Sequence, residues 1–239
     1  MRMMNIVVAV VLAWALGACG GGSGSASGTS YPFVAPTLNA TELSSVTYVD
    51  NASNSIGLTE QETVTAVNAD GSFVVHIDNP NNNTLVVNGT TYSVLTEDET
   101  FNDTGQALSY SYTPAGGTQI DCVDAPHGVG PDFPVTVGQA WVDDFTVSCG
   151  GNAPIAYSQT GTVVDVESVS VPAGAFTALK LQSTLTWTTA AGVLRTETLT
   201  TWRDTTTGHV VKEIQDFSYS VPPAGGYPVS RTTVLLSQS

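Results

Sequence analysis

The 239-residue chain is predicted to be all-β, an antiparallel meander forming a half-barrel or open barrel behind a signal peptide and a flexible linker, with a β-sandwich as the alternative. Three observations predict it. Beyond residue 41, apolar and polar residues alternate with a period of two, which puts one face of a strand on a core and the other in water. Turn dipeptides interrupt that alternation at hairpin spacing. Polarity comes from Thr, Ser, Asn and Gly, with 11% charged residues, a secreted-type β composition rather than a disordered one.

Residues 1–18 have the layout of a signal peptide. A short n-region carries Arg2, and Ile6 to Leu16 form an apolar run of about a dozen residues. A spanning helix needs roughly twenty, so a cleaved signal is expected rather than a transmembrane anchor. Leu16-Gly17-Ala18-Cys19 resembles the lipobox of bacterial lipoproteins: an apolar residue, two small residues that let a peptidase reach the bond, and the acceptor thiol. The resemblance implies a diacylglyceryl group on Cys19 and acylation of its new amino group. At roughly 0.8 kcal/mol per buried CH₂, two or more chains make a stable anchor. Ala13-Trp14-Ala15 leaves an ordinary secretory cleavage open as the alternative. Gly20 follows the cysteine where the family's inner-membrane members carry Asp, which implies the outer membrane if the cell has one.

Residues 19–40 are then the lipidated cysteine and its linker. GGGSGSASGTS, from Gly20 to Ser30, is a flexible tether spanning about 18 Å r.m.s.. Tyr31, Pro32, Phe33, Pro36 and Thr37 continue it as a stiffer, extended segment.

The remaining chain is read as an N-terminal β subdomain over 41–115 and a C-terminal β-meander region over 116–239, divided where Pro and Gly cluster near Thr113 to Pro134. In the first part, Asp70-Gly71 and Asn88-Gly89 are hairpin dipeptides between apolar runs. A short helical turn is the one helical element that fits, over Leu58 to Glu62. In the second, Leu179, Leu181, Leu185 and Trp187 alternate with Lys180, Gln182, Thr184 and Thr186. Turns at Ala191-Gly192 and Thr207-Gly208 join three long strands, and VSRTTVLLS reads as the last.

With Cys19 lipidated, Cys122 and Cys149 remain as an even pair in an oxidising compartment, and a disulfide is predicted. A metal site is the alternative, because Asp121, Asp124, His127 and Asp132 share the same stretch. Their spacing matches no zinc pattern, so no metal and no cofactor are expected.

The C-terminal part carries a second resemblance. FPVTVGQAW from Phe133 to Trp141, GTVV from Gly161, VPAGAFTALK from Val171 to Lys180 and WRDTTTGHVVK from Trp202 resemble the motif series of uncharacterised, TapB-like bacterial envelope proteins. The resemblance covers roughly residues 130–215. It implies a β-rich periplasmic or surface domain and carries no activity. Within it, Pro172-Ala173-Gly174 reads as a tight connection, Phe176 as a core residue, and Gly138 as the turn before Trp141. Trp187 and Trp202 are expected to face each other on neighbouring strands. Trp141, Trp187 and Trp202 are read as core or sheet-capping residues, or else as aromatics lining a ligand cleft.

The formal net charge is −15. Such a chain repels nucleic acid and anionic headgroups, so its contact with a membrane is expected to be through acyl chains. No nucleophile elbow, zincin motif or P-loop is present, so no catalytic residue is named. His76, His127 and His209 are scattered and read as ordinary polar residues. Glu97, Asp98, Glu99 and Asp103 read as solvated loop charge, as do Asp143 and Asp144, which as neighbours on a strand point to opposite faces.

The reading is therefore a non-catalytic, lipid-anchored envelope protein, a binding or assembly module that meets an envelope protein or an apolar ligand. The alternative is a carrier or sensor holding an apolar ligand in a concave half-barrel. A hydrolase of an envelope polymer is the third class.

Overall fold

The structure, a computed structural model, describes residues 28–79, 84–87, 90–93, 96–113 and 118–239. The signal peptide, Cys19, residues 20–27 of the linker and Asn88-Gly89 lie outside the described residues. The strands are β1 (Ser30–Tyr31), β2 (Thr41–Asp50), β3 (Ser55–Val67), β4 (Phe73–Asp78), β5 (Thr84–Val87), β6 (Thr90–Ser93), β7 (Glu97–Phe101) and β8 (Ala107–Tyr112). They continue as β9 (Ile120–Ala125), β10 (Val135–Thr136), β11 (Ala140–Cys149), β12 (Ile155–Val171), β13 (Gly174–Thr188), β14 (Leu194–Asp204), β15 (Val210–Tyr219) and β16 (Pro228–Gln238).

Twelve of these strands close into one antiparallel barrel in the order β11-β12-β13-β14-β15-β16-β2-β3-β4-β7-β8-β9. Strands from both 41–115 and 116–239 enter it. The half-barrel, open barrel and sandwich expected from the sequence are thus replaced by full closure. Two pairings make the difference. Strand β16 pairs with β2, from Gln238↔Glu42 to Pro228↔Asp50, and the main chains of Thr41 and Ser239 exchange hydrogen bonds at 3.0 Å. Strand β9 pairs with β11 around Cys149↔Cys122. Closure removes the two edges that an open sheet leaves unpaired. Hairpin dipeptides encode neighbours in sequence, and the β16–β2 seam has no such local signal.

Local turns follow the sequence closely. The Asp70-Gly71 turn closes through Asn68 and Ser72, with Gly71 at φ 87° and a Cβ at that position only 2.7 Å from Asp103 Cβ. The turn at Ala191-Gly192 closes between Thr189 and Val193. Leu58 to Glu62 belong to β3, paired with β2 on one side and, from Gln61, with β4 on the other, so the expected helical turn is a strand. Inside a barrel wall the two neighbouring ladders outweigh a weak local helix preference.

Past a register shift at Val163/Asp165, the β12–β13 hairpin runs on to the two-residue connection Pro172-Ala173. Its tip packs Val169, Val171, Ala173 and Phe176 against Trp202, Val211 and Leu235. Ala173 N donates to Leu235 O at 3.3 Å.

Candidate functional site

The cross-strand register places one alternating set of residues on the inner wall. Near the β9–β11 seam this set is apolar. Cys122 and Cys149 form the predicted disulfide with a Cα–Cα distance of 4.1 Å. Beside it Tyr157 stacks between Phe145 at 5.3 Å and Trp187 at 5.2 Å. The sulfurs sit in this buried cluster with Tyr112, Val147 and Leu185.

Around the barrel, on β3, β15 and β16, the inner wall becomes ionic. Arg231, 9% exposed, donates from Nη2 to Glu60 at 2.7 Å and from Nη1 to Glu213 at 3.1 Å. Its guanidinium also lies 6.0 Å from the Tyr48 ring. Burial alone would lower the Arg231 pKa, and Glu60, Tyr48 and Glu213 reverse that and raise it. Arg231 is thereby committed to two carboxylates.

Among the described residues, the inward carboxylates Glu62, Glu97, Glu99, Asp124, Asp143 and Glu197 form no ion pair with Arg231. Burial pushes Glu62 up to about 8, with Glu42 and Glu60 adding to it. Glu97 rises to about 7 through burial and the charge of Glu60. Glu99 lies well above the usual range through burial and the charges of Glu97, Glu62 and Asp124. Asp124 rises to about 6 by burial, partly offset by His127. Asp143 also rises to about 6 by burial, against His127. Glu197 is raised by burial although Gln215 donates to it at 2.8 Å. In each, desolvation outweighs the nearby positive charge.

The end of the barrel near β10 is stoppered. Strand β1 pairs with β10, and just after it Phe33 stacks on Phe73 at 6.0 Å and meets Phe133 at 5.6 Å. Gly105 lets the ring seat, since a Cβ there would lie 2.3 Å from Phe33 Cε2. The Arg203 guanidinium is 6.0 Å from the same ring. Beneath Phe33 lies a cavity of about 110 Å³ bounded by Glu42, Glu62, Arg203 and His209. His209 Nδ1 pairs with Glu42 Oε1.

The residues singled out in the sequence fall in different places. Trp141 lies across Gly161, where a Cβ would come within 2.1 Å of its ring, and its indole N–H donates to Gln159 Oε1 at 3.3 Å. Trp187 sits in the disulfide cluster, and Trp202 in the cluster under the β12–β13 hairpin. Trp187 and Trp202 do not face each other: Trp187 is opposite Arg195, and Trp202 is opposite Lys180 and Lys212, whose ammonium groups stand 5.2 and 4.8 Å from its ring. The three tryptophans therefore share no cleft.

Asp121 is exposed and accepts from Gln119, Asp124 is buried, and Asp132 accepts from Gln106 at 3.0 Å. Among the described residues no three His, Cys, Asp or Glu are placed to hold a metal ion.

Glu97 and Glu99 overturn their reading as solvated loop charge. They belong to β7 and face inward opposite Tyr112 and Tyr110, while Asp98 points out to His76 Nδ1 at 2.8 Å. The signal was in the sequence: EDETF alternates, with carboxylates in the slots that Phe101 occupies next. Asp143 and Asp144 do point to opposite faces, Asp143 inward beside Gln159 in the register and Asp144 exposed.

No family model and no curated protein matches the chain. Solved structures do match. One is an exported protein with a YmcC-like fold from Bacteroides fragilis, with 13% identity and a TM-score of 0.50 over 88% of this chain and 100% of that one. Another is the hypothetical lipoprotein YmcC from Escherichia coli, with 13% identity and a TM-score of 0.41 over 85% and 89% of the two chains. A lipoprotein from Parabacteroides distasonis has 11% identity and a TM-score of 0.46 over 87% and 99%. At this identity, the first likeness shows that the chain shares the YmcC-like fold.

Proposed function

We propose that this chain is a non-catalytic, lipid-anchored envelope protein whose closed barrel acts as a binding or assembly module. One observation carries the reading. The β1–β10 pairing and the Phe33 seat bind the chain at residues 30–33 to one end of the barrel. A tether from Cys19 would therefore enter at a defined point, with the Gly/Ser-rich residues after Cys19 joining that point to the acyl chains. The lipobox resemblance supplies the anchor, and the exported neighbour of the same fold is in keeping with that address. An outer-membrane location, where the cell has two membranes, follows from Gly20.

The raised carboxylates meet one condition for glycosidase-type acid catalysis. Their position inside a hydrogen-bonded wall, rather than in a surface cleft able to take a polymer, supports a non-catalytic role. The apolar-carrier alternative asks for a dry cavity of several hundred Å³. The cavity beneath Phe33 is about 110 Å³ and has Glu42, Glu62, Arg203 and His209 in its lining, and the cavity of about 740 Å³ beside Phe145, Tyr157 and Trp187 is open to solvent rather than dry, which favours the module.

The test is acylation in a bacterial host. The full chain should take up radiolabelled palmitate and sediment with membranes, and Cys19→Ser should lose both. A Cys19→Ser protein that is still labelled would sink the anchor.

A further inference from the structure

We propose that the middle of the barrel binds an organic cation carrying one or more protonated amines, on the wall formed by Glu97, Glu99, Asp124, Tyr110, Tyr112 and Tyr157. The proposal deepens the binding-module reading and rests on it only for the idea that the barrel has a ligand.

Register puts these residues on one wall. Glu97 is opposite Tyr112 and Glu99 opposite Tyr110. Tyr110 is opposite Cys122, two residues before Asp124, and Asp124 leads through Val147 to the strand pairing that carries Tyr157. Glu97, Glu99 and Tyr110 face inward and are half-buried rather than sealed. A twelve-strand barrel encloses more room than an eight-strand one, whose side chains just fill it.

The second observation is independent of charge. Asp124 Oδ1, Tyr112 OH and Tyr157 OH are buried with no hydrogen-bond partner among the described residues, on residues 7%, 4% and 2% exposed. An unpaired buried polar group costs about 1–3 kcal/mol, so three on one wall mark a place that wants a polar occupant. A primary ammonium donates three hydrogen bonds and can be accepted by carboxylate and hydroxyl oxygens alike.

Charge selects the class. Arg231 is engaged by Glu60 and Glu213, so Glu97, Glu99 and Asp124 lack a guanidinium of their own, and His127 is the basic group that acts on Asp124. An anion is excluded by the same carboxylates. A metal ion is disfavoured, because no suitable ligand triad is placed among the described residues. The Tyr110 and Tyr112 rings, 6.3 Å apart and stacked, offer aromatic faces to a cation.

The test is calorimetric titration of the purified full chain at pH 7.5 with spermidine, with 1,8-octanediol and calcium chloride as comparators. Spermidine should bind saturably and octanediol should not. Glu97→Gln with Glu99→Gln should weaken spermidine about tenfold or more, while Asp98→Asn, on the outer face of the same strand, leaves it unchanged. The glutamines match protonated glutamates in shape, so the fold is expected to persist, checked by near-UV circular dichroism. Tyr157→Phe, which deletes only an unpartnered hydroxyl, provides a second variant and should weaken binding several-fold. Absence of saturable spermidine binding overturns the proposal. So does binding equal in wild type, the double variant and Tyr157→Phe, or spermidine displaced stoichiometrically by calcium. Acylation of Cys19 is read separately, so either proposal can fail alone.

Discussion

Around the disulfide, the inward residues are Phe145, Tyr157 and Trp187, stacked at 5.3 and 5.2 Å and closed off by Cys122–Cys149. A few residues along the same strands and across the barrel, inward positions become Asp143, Glu97, Glu99, Glu60 and Arg231. Alternation is the same in both regions; what holds them differs. The disulfide end depends on apolar burial and a cross-link, neither of which responds to mild changes of pH. The middle depends on one guanidinium holding two carboxylates while burial holds other carboxylates above their ordinary range. Tyr157 joins the regions, with its ring in the aromatic stack and its hydroxyl unpartnered.

The largest effect should come from the middle. Arg231→Ala leaves Glu60 and Glu213 enclosed without their shared cation, and breaking a buried ion pair from one side costs about 3–5 kcal/mol. Urea denaturation should show the midpoint falling with an unchanged slope. A loss under 1 kcal/mol would mean that water, not Arg231, balances those carboxylates, and the contrast between the two regions would dissolve.

The disulfide end should follow. The bridge spans a sequence separation of 27, for which the chain-entropy account gives about 3–4 kcal/mol. Replacing both cysteines by alanine should lower stability by about that amount, equally at pH 5 and pH 8. A loss that varied strongly over that range would show that the two regions are coupled through Tyr157.

A smaller change should open the stoppered end. Phe33→Ala removes a ring held by Phe73, Phe133 and Arg203. Since Phe33 is only half-buried, a loss of about 2 kcal/mol is expected, below the range for a core Phe. Limited proteolysis should cut near residues 30–36 much faster, with the rest of the barrel intact. An unchanged cleavage rate would show that β1 alone holds the segment.

The strands and most of their turns were legible because period two and Gly-containing dipeptides are local signals. The disulfide was legible by cysteine arithmetic. Closure was not, because Gln238↔Glu42 joins the two extremes of the fold by main-chain bonds that any side chain permits. The acidic interior was hidden for a related reason. A carboxylate in an alternating strand reads as solvent-facing unless one knows that its apolar-slot neighbours, such as Phe101 after Glu97 and Glu99, set the inward phase. The tryptophans were legible as core residues but not as members of separate clusters, since only the register tells Trp187 from Trp202.

The subtlest difference between the regions is their response to pH, and its sign follows from the raised carboxylates. Glu62 titrates near 8 and Glu97 near 7 in the folded state, against an ordinary value of 4.5, and Asp124 and Asp143 near 6 against 3.8. Between those limits the folded chain holds more protons than the unfolded one, so stability falls as pH rises. The contribution is fully present below about pH 4 and is lost progressively up to about pH 8. The melting temperature should therefore fall from pH 5 to pH 8, although most proteins are near their best there. Glu62→Gln with Glu97→Gln should flatten that slope, because a glutamine stays neutral throughout, and should raise the melting temperature at pH 8 by a few degrees. The double-alanine cysteine variant should keep the full slope on a lower curve. If the glutamine variant kept the slope and the cysteine variant lost it, the pH response would belong to the disulfide end, and the middle would have to be neutralised by some means other than protonation.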